Sequence, residues 1–230
     1  MISDLLQTLN TLADPARIEF ARRTYPTELR VIGVTNPNLR LVLREIKAEV
    51  KNQDGRAVID LAHTMIKEEV FELQWLAYEL IGSGKKTLRA LTRKDINALN
   101  VHLDNWVLTD TFCAKVLGFA WQEGLVDDAY ILHLQSSDDL WQRRLAVVVT
   151  TALNIPANGG EGASAQTLLL CLGAVDDHHL MISKAVSWAL RTLIKWDRPA
   201  VEEFLEEYES RLAKLVVREV RRKLETGKKG

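Results

Sequence analysis

The sequence has few of the residues that break helices or form turns. Its 230 residues include five prolines and twelve glycines, which leaves little room for the many turns of an all-β fold. Leu, Ala, Val, Glu, Lys and Arg dominate, and most of them are good helix formers. Hydrophobic residues make up 47% of the chain and charged residues 27%, which are ordinary values for a folded protein. The composition favours a helical protein with a sizeable core.

Long apolar runs are missing as well. The longest candidates, LAVVVTTAL and TLLLCLGAV, are nine-residue pieces, far below the ~20 residues that a membrane span needs. The first ten residues, MISDLLQTLN, do not show the basic and then apolar pattern of a signal peptide. The sequence therefore predicts a cytoplasmic protein without a membrane partner.

Cysteine is scarce, and the histidines show no ligand spacing. Cys113 and Cys171 lie in apolar helical contexts, so we expect small buried residues and neither a disulfide nor a metal site. The adjacent histidines of DDHHL at 176–180 would point about 100° apart on a helix. The segment GSGKKT at 82–87 is not a P-loop, because Glu79 stands where the motif needs its first glycine. We predict no metal and no cofactor.

Charge of one sign does not predominate, since the net charge is −1. The distribution is less even: residues 211–230 hold eight Lys or Arg and two acids, whereas the preceding VEEFLEEYE is acidic. Residues 85–94 form a second basic stretch. Such patches allow anion binding at one face. The alternative is a solvated helix surface that ends in a short basic tail at about 225–230.

Helical periodicity covers almost the whole chain, and no stretch alternates long enough for a strand. Asn36 before Pro37 predicts one helix start, and Ser136, Ser137 or Asp138 is expected to cap the helix that carries Trp141. Gly82 and the glycine-rich loop at 154–164 predict helix ends. Tryptophan-bearing helices recur at intervals of 31, 35 and 47 residues. This repetition favours a single-domain HEAT-type α-solenoid over 1–230, with a helical bundle as the alternative.

Three tryptophans share a helix face with a charged residue. The pairs are Trp106 with Asp110, Trp141 with Arg144, and Trp188 with Arg191. If the concave side of a solenoid collects these helices, it presents cations for phosphate oxygens and aromatic faces for a base, a sugar or a cation. The Asp110 carboxylate would repel phosphate, so we expect it to interact with a positive charge. The alternative is core tryptophans with structural ladders of Asp and Arg.

These motifs resemble the AlkD-like DNA alkylation repair proteins, which are HEAT-repeat alkylpurine DNA glycosylases of bacteria and archaea. The similarity covers about residues 15–225. It is carried by YPTELRVIGVTNPNLRLVLREI, FELQWLAYELI, NWVLTD, WQRRLAV and KAVSWALR. The order and spacing of these short motifs are more specific than any one of them.

The resemblance implies site residues and a partner. It makes Asp110 the catalytic aspartate, Trp106 and Trp188 the tryptophans that bracket the lesion, and Arg144 the active-site arginine. It implies further contacts to the DNA backbone, or structural partners, at Arg40, Arg143, Lys184 and Arg191. The partner would be double-stranded DNA with alkylated bases, bound by a monomer at the nucleoid of a prokaryote. Three departures are Val107, where a member of the family has an acid, Tyr25, which is displaced from the family's tyrosine, and the glycine-rich loop at 154–164, which is longer than usual.

The chemistry expected of such an enzyme agrees with a single carboxylate. Alkylation at N3 or N7 makes a purine cationic, so the base leaves neutral and needs no general acid, whereas ordinary glycoside hydrolysis uses two carboxylates. Asp110 would stabilise the oxocarbenium-like sugar and orient water. Two alternatives remain open: a non-catalytic relative that binds damaged or branched DNA by shape, and an adaptor for protein partners.

Overall fold

The computed structural model of the chain describes residues 2–228 and contains helices throughout. Over these residues, pairing between extended segments is limited to two isolated bridges, Ala13 with Val34 and Arg30 with Val70. The prediction of an all-α fold is confirmed. The chain divides into two compact units, the first ending at Ala120 and the second beginning at Trp121. The expectation of a single domain stays a prediction, as does the HEAT type of the repeats and their curvature around a groove.

The first unit contains the helices that precede residue 121. They are α1 (Ile2–Thr11), α2 (Pro15–Thr24), α3 (Asn36–Glu49), α4 (Gly55–Ile66), α5 (Phe71–Gly82), α6 (Lys85–Arg89), α7 (Arg93–Leu99), α8 (Trp106–Phe112) and a π-helical turn (Cys113–Leu117). The division between the units falls within α9 (Gly118–Gln122). The central helix is α5, which packs against α3, α4 and α8. Its residues are buried on nearly every side, as expected of a helix without a polar face.

The second unit has its own central helix. Its elements are α10 (Asp128–Gln135), α11 (Leu140–Val148), α12 (Thr150–Asn154), a 3₁₀ turn (Pro156–Asn158), α13 (Ser164–Leu172), α14 (Leu180–Leu193), α15 (Arg198–Tyr208) and α16 (Lys214–Thr226). Helix α14 packs between α11 and α16. In each unit a long helix thus lies between an earlier and a later one, as in stacked helical repeats. The predicted helical-repeat fold is confirmed.

Two predicted helix starts were wrong by a residue or more. Helix α3 begins at Asn36 itself, and the residue before it, Thr35, has the extended backbone of an N-cap but makes no side-chain cap bond. Helix α11 is capped by Asp139, whose carboxylate accepts from the backbone N–H groups of Trp141 and Gln142. Several polar residues precede each helix, and spacing alone does not choose among them. The predicted ends at Gly82 and Asn154 are confirmed.

The buried polar groups and the loops are tied to the helices. Cys113 and Cys171 are fully buried, which confirms the prediction that they are small buried residues. In the glycine-rich loop, Asn154 accepts from the N–H of Ala163 at 3.0 Å and donates to the hydroxyl of Thr167 at 2.8 Å. This anchored loop connects α12 and α13 within one unit.

Helix α16 runs to Thr226, so the predicted basic tail is helical at 225–226. Residues 229 and 230 of the tail lie outside the described part of the chain.

Candidate functional site

Helix α8, which carries Trp106 and Asp110, has a firmly fixed start. The side chain of its N-cap, Asn105, accepts from the N–H of Leu108 at 3.0 Å and donates to Asp104 at 2.9 Å. The Asp104 carboxylate also accepts from the hydroxyl of Thr27 at 2.7 Å. A capping residue that is itself held by a neighbouring segment sets both the first residue and the direction of a helix.

Trp106 and Asp110 lie on the same half-buried face of α8. The opposite face, with Leu108, Thr109 and Phe112, is fully buried in the first unit, whereas Trp106 and Asp110 keep partial exposure. Residues four apart on a helix are neighbours on its surface. The structure therefore places an indole and a carboxylate side by side at a surface that a ligand can reach.

The indole of Trp106 is held by an aromatic cluster. Its Nε1 donates to the carbonyl oxygen of Thr24 at 3.0 Å, and the Tyr25 ring meets it edge to face, with centroids 6.2 Å apart. Tyr25 in turn stacks on Phe71 at 5.0 Å. Burial raises the pKa of Tyr25, and the charge of Arg17 partly offsets the rise, so the phenol is neutral at neutral pH. The displaced tyrosine of the sequence thus packs directly against Trp106.

The segment that leads into α3 is held by a buried carboxylate that the sequence analysis did not single out. Glu72 is 2% exposed and accepts from the backbone N–H groups of Ile32, Gly33 and Val34 at 3.0, 2.7 and 3.3 Å. Gly33 has φ +91°, and a Cβ there would lie 2.7 Å from the carbonyl oxygen of Asp14. The signal in the sequence was an acid near the start of a largely apolar helix, α5.

A π-helical turn directly follows α8. It spans Cys113–Leu117 and packs against the end of α5, where a Cβ on Gly82 would lie 2.8 Å from the Cβ of Lys115 and 2.9 Å from its carbonyl oxygen. The ammonium of Lys115 pairs with Glu79 at 3.0 Å. Turns of this kind are rare and are often found at functional sites. Here the close approach at Gly82 fixes the C-terminal continuation of the helix that carries Asp110.

Of the cations predicted to contact DNA, Arg40 and Lys184 are exposed. Arg40 lies on the outer face of α3, and Lys184 lies one turn before Trp188 on α14. Trp188 is half-buried, while the neighbouring residues Ala185, Val186 and Ala189 are fully buried. Lys184 and Trp188 therefore share the accessible face of α14, a cation beside an aromatic ring.

The two arginines of α11 are engaged within the second unit. Arg144 is 5% exposed, and its Nη1 donates to the carbonyl oxygen of Met181 at 2.6 Å. Arg143 pairs with Asp177 at 2.9 Å and donates to the carbonyl oxygens of Ser137 and Asp138 at 3.1 and 2.8 Å. The two guanidinium groups thus tie α11 to the segment that precedes it and to the start of α14, and a role of either in binding DNA stays a prediction.

Arg191 is also engaged in an internal network. Its Nε donates to the carbonyl and the hydroxyl oxygens of Ser187 at 3.0 and 3.1 Å. Its Nη2 lies 3.5 Å from a carboxylate oxygen of Glu219 in α16, which also accepts from the Ser187 hydroxyl at 2.6 Å. The side chain is 11% exposed. This network joins α14 to α16, which agrees with the structural alternative for Arg191.

Over residues 2–228, no three His, Cys, Asp or Glu side chains come together in a way that could hold a metal ion. None of the helices in that range is both long enough and apolar enough to cross a membrane.

Comparisons with known proteins give one family. The model of the family described as DNA alkylation repair enzyme matches residues 5–224. Among solved structures, a predicted DNA alkylation repair enzyme from Enterococcus faecalis is similar, with a TM-score of 0.72 and 16% identity over 93% of this chain and 97% of that chain. At this identity the likeness shows the fold alone. A search of curated proteins finds no match.

Proposed function

Because the chain belongs to the DNA alkylation repair enzyme family, we propose that it is a DNA glycosylase that releases N3- or N7-alkylated purines from double-stranded DNA. The observation that carries the proposal is the juxtaposition on α8 of the Trp106 indole and the Asp110 carboxylate, both half-buried. A carboxylate next to an indole at an accessible surface supplies a negative charge and an aromatic face, both of which attract a cationic nucleoside.

The substrate makes a general acid unnecessary. An alkyl group at N3 or N7 leaves the purine with a formal positive charge, so the electron pair of the breaking C1′–N bond neutralises the base as it departs. Positive charge then develops on the deoxyribose. The deoxyribose needs a negative group near C1′ and a water molecule to attack there. One carboxylate can meet both needs, whereas hydrolysis of ordinary glycosides uses two.

Asp110 is the proposed source of that negative charge. Its carboxylate stabilises the oxocarbenium-like sugar in the transition state and accepts a hydrogen bond from the attacking water. The water oxygen bonds to C1′, and the proton of the water passes to Asp110 or to solvent. Because α8 is capped by Asn105 and continued by the π-helical turn, the carboxylate is held in place before the reaction starts, which is the condition for electrostatic catalysis.

Trp106 is proposed to hold the damaged nucleotide beside Asp110. The face of an indole attracts cations, by about 0.5 to 2 kcal/mol depending on how dry the contact is. The bond to Thr24 and the edge contact with Tyr25 fix the ring, so little side-chain entropy is lost on binding. The attraction favours a cationic purine over an unmodified one.

The remaining predicted residues divide into two proposed roles. Lys184 and Trp188, on the accessible face of α14, contact the DNA strand, and the exposed Arg40 binds a phosphate. Arg144 acts mainly by holding the first turn of α14 through the carbonyl of Met181. We propose that it positions Lys184 and Trp188, which lie on the same helix.

The test of the proposed function is release of free base. A duplex with N7-methylguanine is incubated with the wild-type protein, and the free base is measured by chromatography and the abasic site by alkaline cleavage. We expect equal amounts of both products and none from an unmodified duplex. Salt-dependent binding without release, from this duplex and from one with 3-methyladenine, would instead identify a non-catalytic DNA-binding protein. If the protein does not bind DNA at all, the remaining alternative is an adaptor for protein partners.

A further inference from the structure

Helix α16 presents a row of exposed cations that the proposed function does not use. Lys214, Arg218 and Arg222 follow one another at intervals of four residues, and all three are exposed. With a rise of 1.5 Å per residue, the row is about 12 Å long. Lys214 is the first residue of the helix.

The acids of this helix do not neutralise the row. Glu219 faces α14, where it accepts from Ser187 at 2.6 Å and lies 3.5 Å from Arg191. The other acid, Glu225, lies in the last turn, beyond Arg222. The first turn contains no acid, although acids there would favour the helix. The exposed residues of α16 from Lys214 to Arg222 are therefore all cations.

Such an arrangement costs stability in the free protein. Like charges four residues apart on a helix repel each other, and a cation in the first turn opposes the helix dipole. Glutamates interspersed at these exposed positions would remove both costs. A bound polyanion would offset this repulsion, so the row is suited to a polyanionic ligand.

A groove beside the row shares two of its cations. It has a volume of about 690 Å³ and is lined in part by His178, Lys214, Arg218 and Arg221. Arg221 forms an ion pair with Glu209, which also lines the groove. One ring nitrogen of His178 is 2.7 Å from the carbonyl oxygen of Arg211. Lys214 and Arg218 thus belong both to the row and to the wall of a groove, at which an extended chain of phosphates can lie.

We propose that Lys214, Arg218 and Arg222 bind the phosphodiester backbone of DNA, as a contact additional to those of α8 and α14. The inference rests on the proposed function in that it takes DNA as the partner. Phosphates follow one another about every 3.4 Å per strand along the duplex axis, so the row spans three or four of them. The apolar face of α16, with Val216 and Val220, is buried and is not available for insertion into a lipid surface.

The test compares two triple variants that each lose three positive charges. The first is Lys214→Gln, Arg218→Gln and Arg222→Gln. The matched control neutralises three exposed cations dispersed over the first unit, with the changes Arg22→Gln, Lys51→Gln and Lys67→Gln. Affinity for an unmodified duplex is measured at several salt concentrations, and thermal unfolding is followed for all three proteins.

The expected result has two parts. The slope of log K against log[salt] becomes shallower by about 0.9 for each phosphate that the protein no longer neutralises, thus by about 2 to 3 in the row variant and by less than 1 in the control. The melting temperature of the row variant is equal to that of the wild type or higher, because repulsion has been removed. Lower affinity in a more stable protein is a combination that a structural role of the row does not produce.

Three other outcomes, in each of which the wild type binds DNA, would overturn the inference. A slope unchanged in the row variant, with salt-dependent binding by the wild type, contradicts the proposed binding of phosphates by the row and leaves the proposed function intact. An equal loss of DNA affinity and of salt dependence in both variants shows an effect of net charge alone. Loss of binding to phosphatidylserine vesicles with DNA binding retained assigns the row to a lipid surface. If the wild type itself does not bind DNA, the proposed function fails as well.

Discussion

The indole nitrogen of Trp106 donates to the backbone carbonyl of Thr24, a residue 82 positions earlier in the chain, at 3.0 Å. The end of α2 and the start of α8 are therefore joined at the point where the proposed catalytic helix begins. Tyr25, the next residue after Thr24, packs its ring against the same indole. The orientation of Trp106 thus depends on residues that have no direct part in the proposed reaction.

Removal of the Tyr25 ring is expected to lower the rate of base release. In Tyr25→Ala, the indole of Trp106 is no longer held by the ring edge and Phe71 has no stacking partner, and the protein is destabilised by about 2 kcal/mol, since the ring is only half-buried. Tyr25→Phe keeps both ring contacts and serves as the control. Single-turnover rates and urea unfolding check the prediction. A normal rate in Tyr25→Ala would show that Trp106 needs no such support.

Substitution of Glu72 by Gln is expected to destabilise the first unit. The buried carboxylate accepts from three backbone N–H groups. An amide would turn an N–H₂ group towards these donors, and hydrogen bonds to a charged group are worth about 1.5 to 3 kcal/mol. We expect a loss in this range by urea unfolding. Glu45→Gln, at an exposed position of α3, should change the free energy of unfolding by less than about 0.5 kcal/mol.

The stability contributed by Asp95 is expected to depend on pH. Burial acts to raise the pKa of Asp95, but hydrogen bonds from Arg56, Thr92 and His63 outweigh burial and hold the pKa well below its usual range. The contribution is therefore complete above the unfolded pKa of about 3.9 and is lost as the pH falls towards the folded pKa. At pH 6 the free energy of unfolding of the wild type should exceed that of Asp95→Asn by on the order of 2 kcal/mol.

The difference should shrink as the pH falls below about 4. Urea unfolding at pH 6, 4 and 3 measures it. Asp60 also pairs with Arg56, but its side chain is 65% exposed, so Asp60→Asn is a control with a small difference at every pH. If the difference in free energy of unfolding between the wild type and Asp95→Asn were the same at every pH, the ionised Asp95 carboxylate would stabilise the fold no more than the amide does.

Introduction of a methyl group at Gly82 is expected to disturb the π-helical turn. The new Cβ would meet backbone atoms of Lys115, which cannot rotate away, and we expect a cost of about 1 to 3 kcal/mol. Because the turn continues α8, the rate of base release should fall more than stability alone explains. Gly84→Ala is the control, since a Cβ there would lie 3.1 Å from the Thr87 hydroxyl and no closer than 3.7 Å to the other neighbouring atoms. Rates measured well below the melting temperatures of both variants separate the effect on catalysis from the effect on stability.

The sequence predicted the fold class and the position of the site helices well. Helical periodicity and the spacing of tryptophans depend on local pattern, and α8, α11 and α14 appear where the motifs lie. The pairing of Trp106 with Asp110 on one face also follows from spacing alone. Family membership was predicted from the order of short motifs and is confirmed.

Other features depend on tertiary contacts that spacing does not contain. Arg144 and Lys184 both appear in the sequence as helical cations near a tryptophan, but one is buried against Met181 and the other is exposed. The three bonds to Glu72 join residues about 40 positions apart. Several neighbouring polar residues could cap α11. The path of the preceding loop determines which of them does, and the sequence pattern does not contain that path.

The central claim is that the Asp110 carboxylate stabilises the sugar cation. It is tested most directly by single-turnover release of N7-methylguanine from a duplex at saturating protein, in the wild type and in Asp110→Asn, with Glu45→Gln as the carboxylate control. We expect the rate to fall by about a hundredfold or more in Asp110→Asn and to be unchanged in Glu45→Gln, with similar DNA affinity in all three proteins. A rate in Asp110→Asn within a few-fold of the wild type, at equal occupancy, would contradict the central claim.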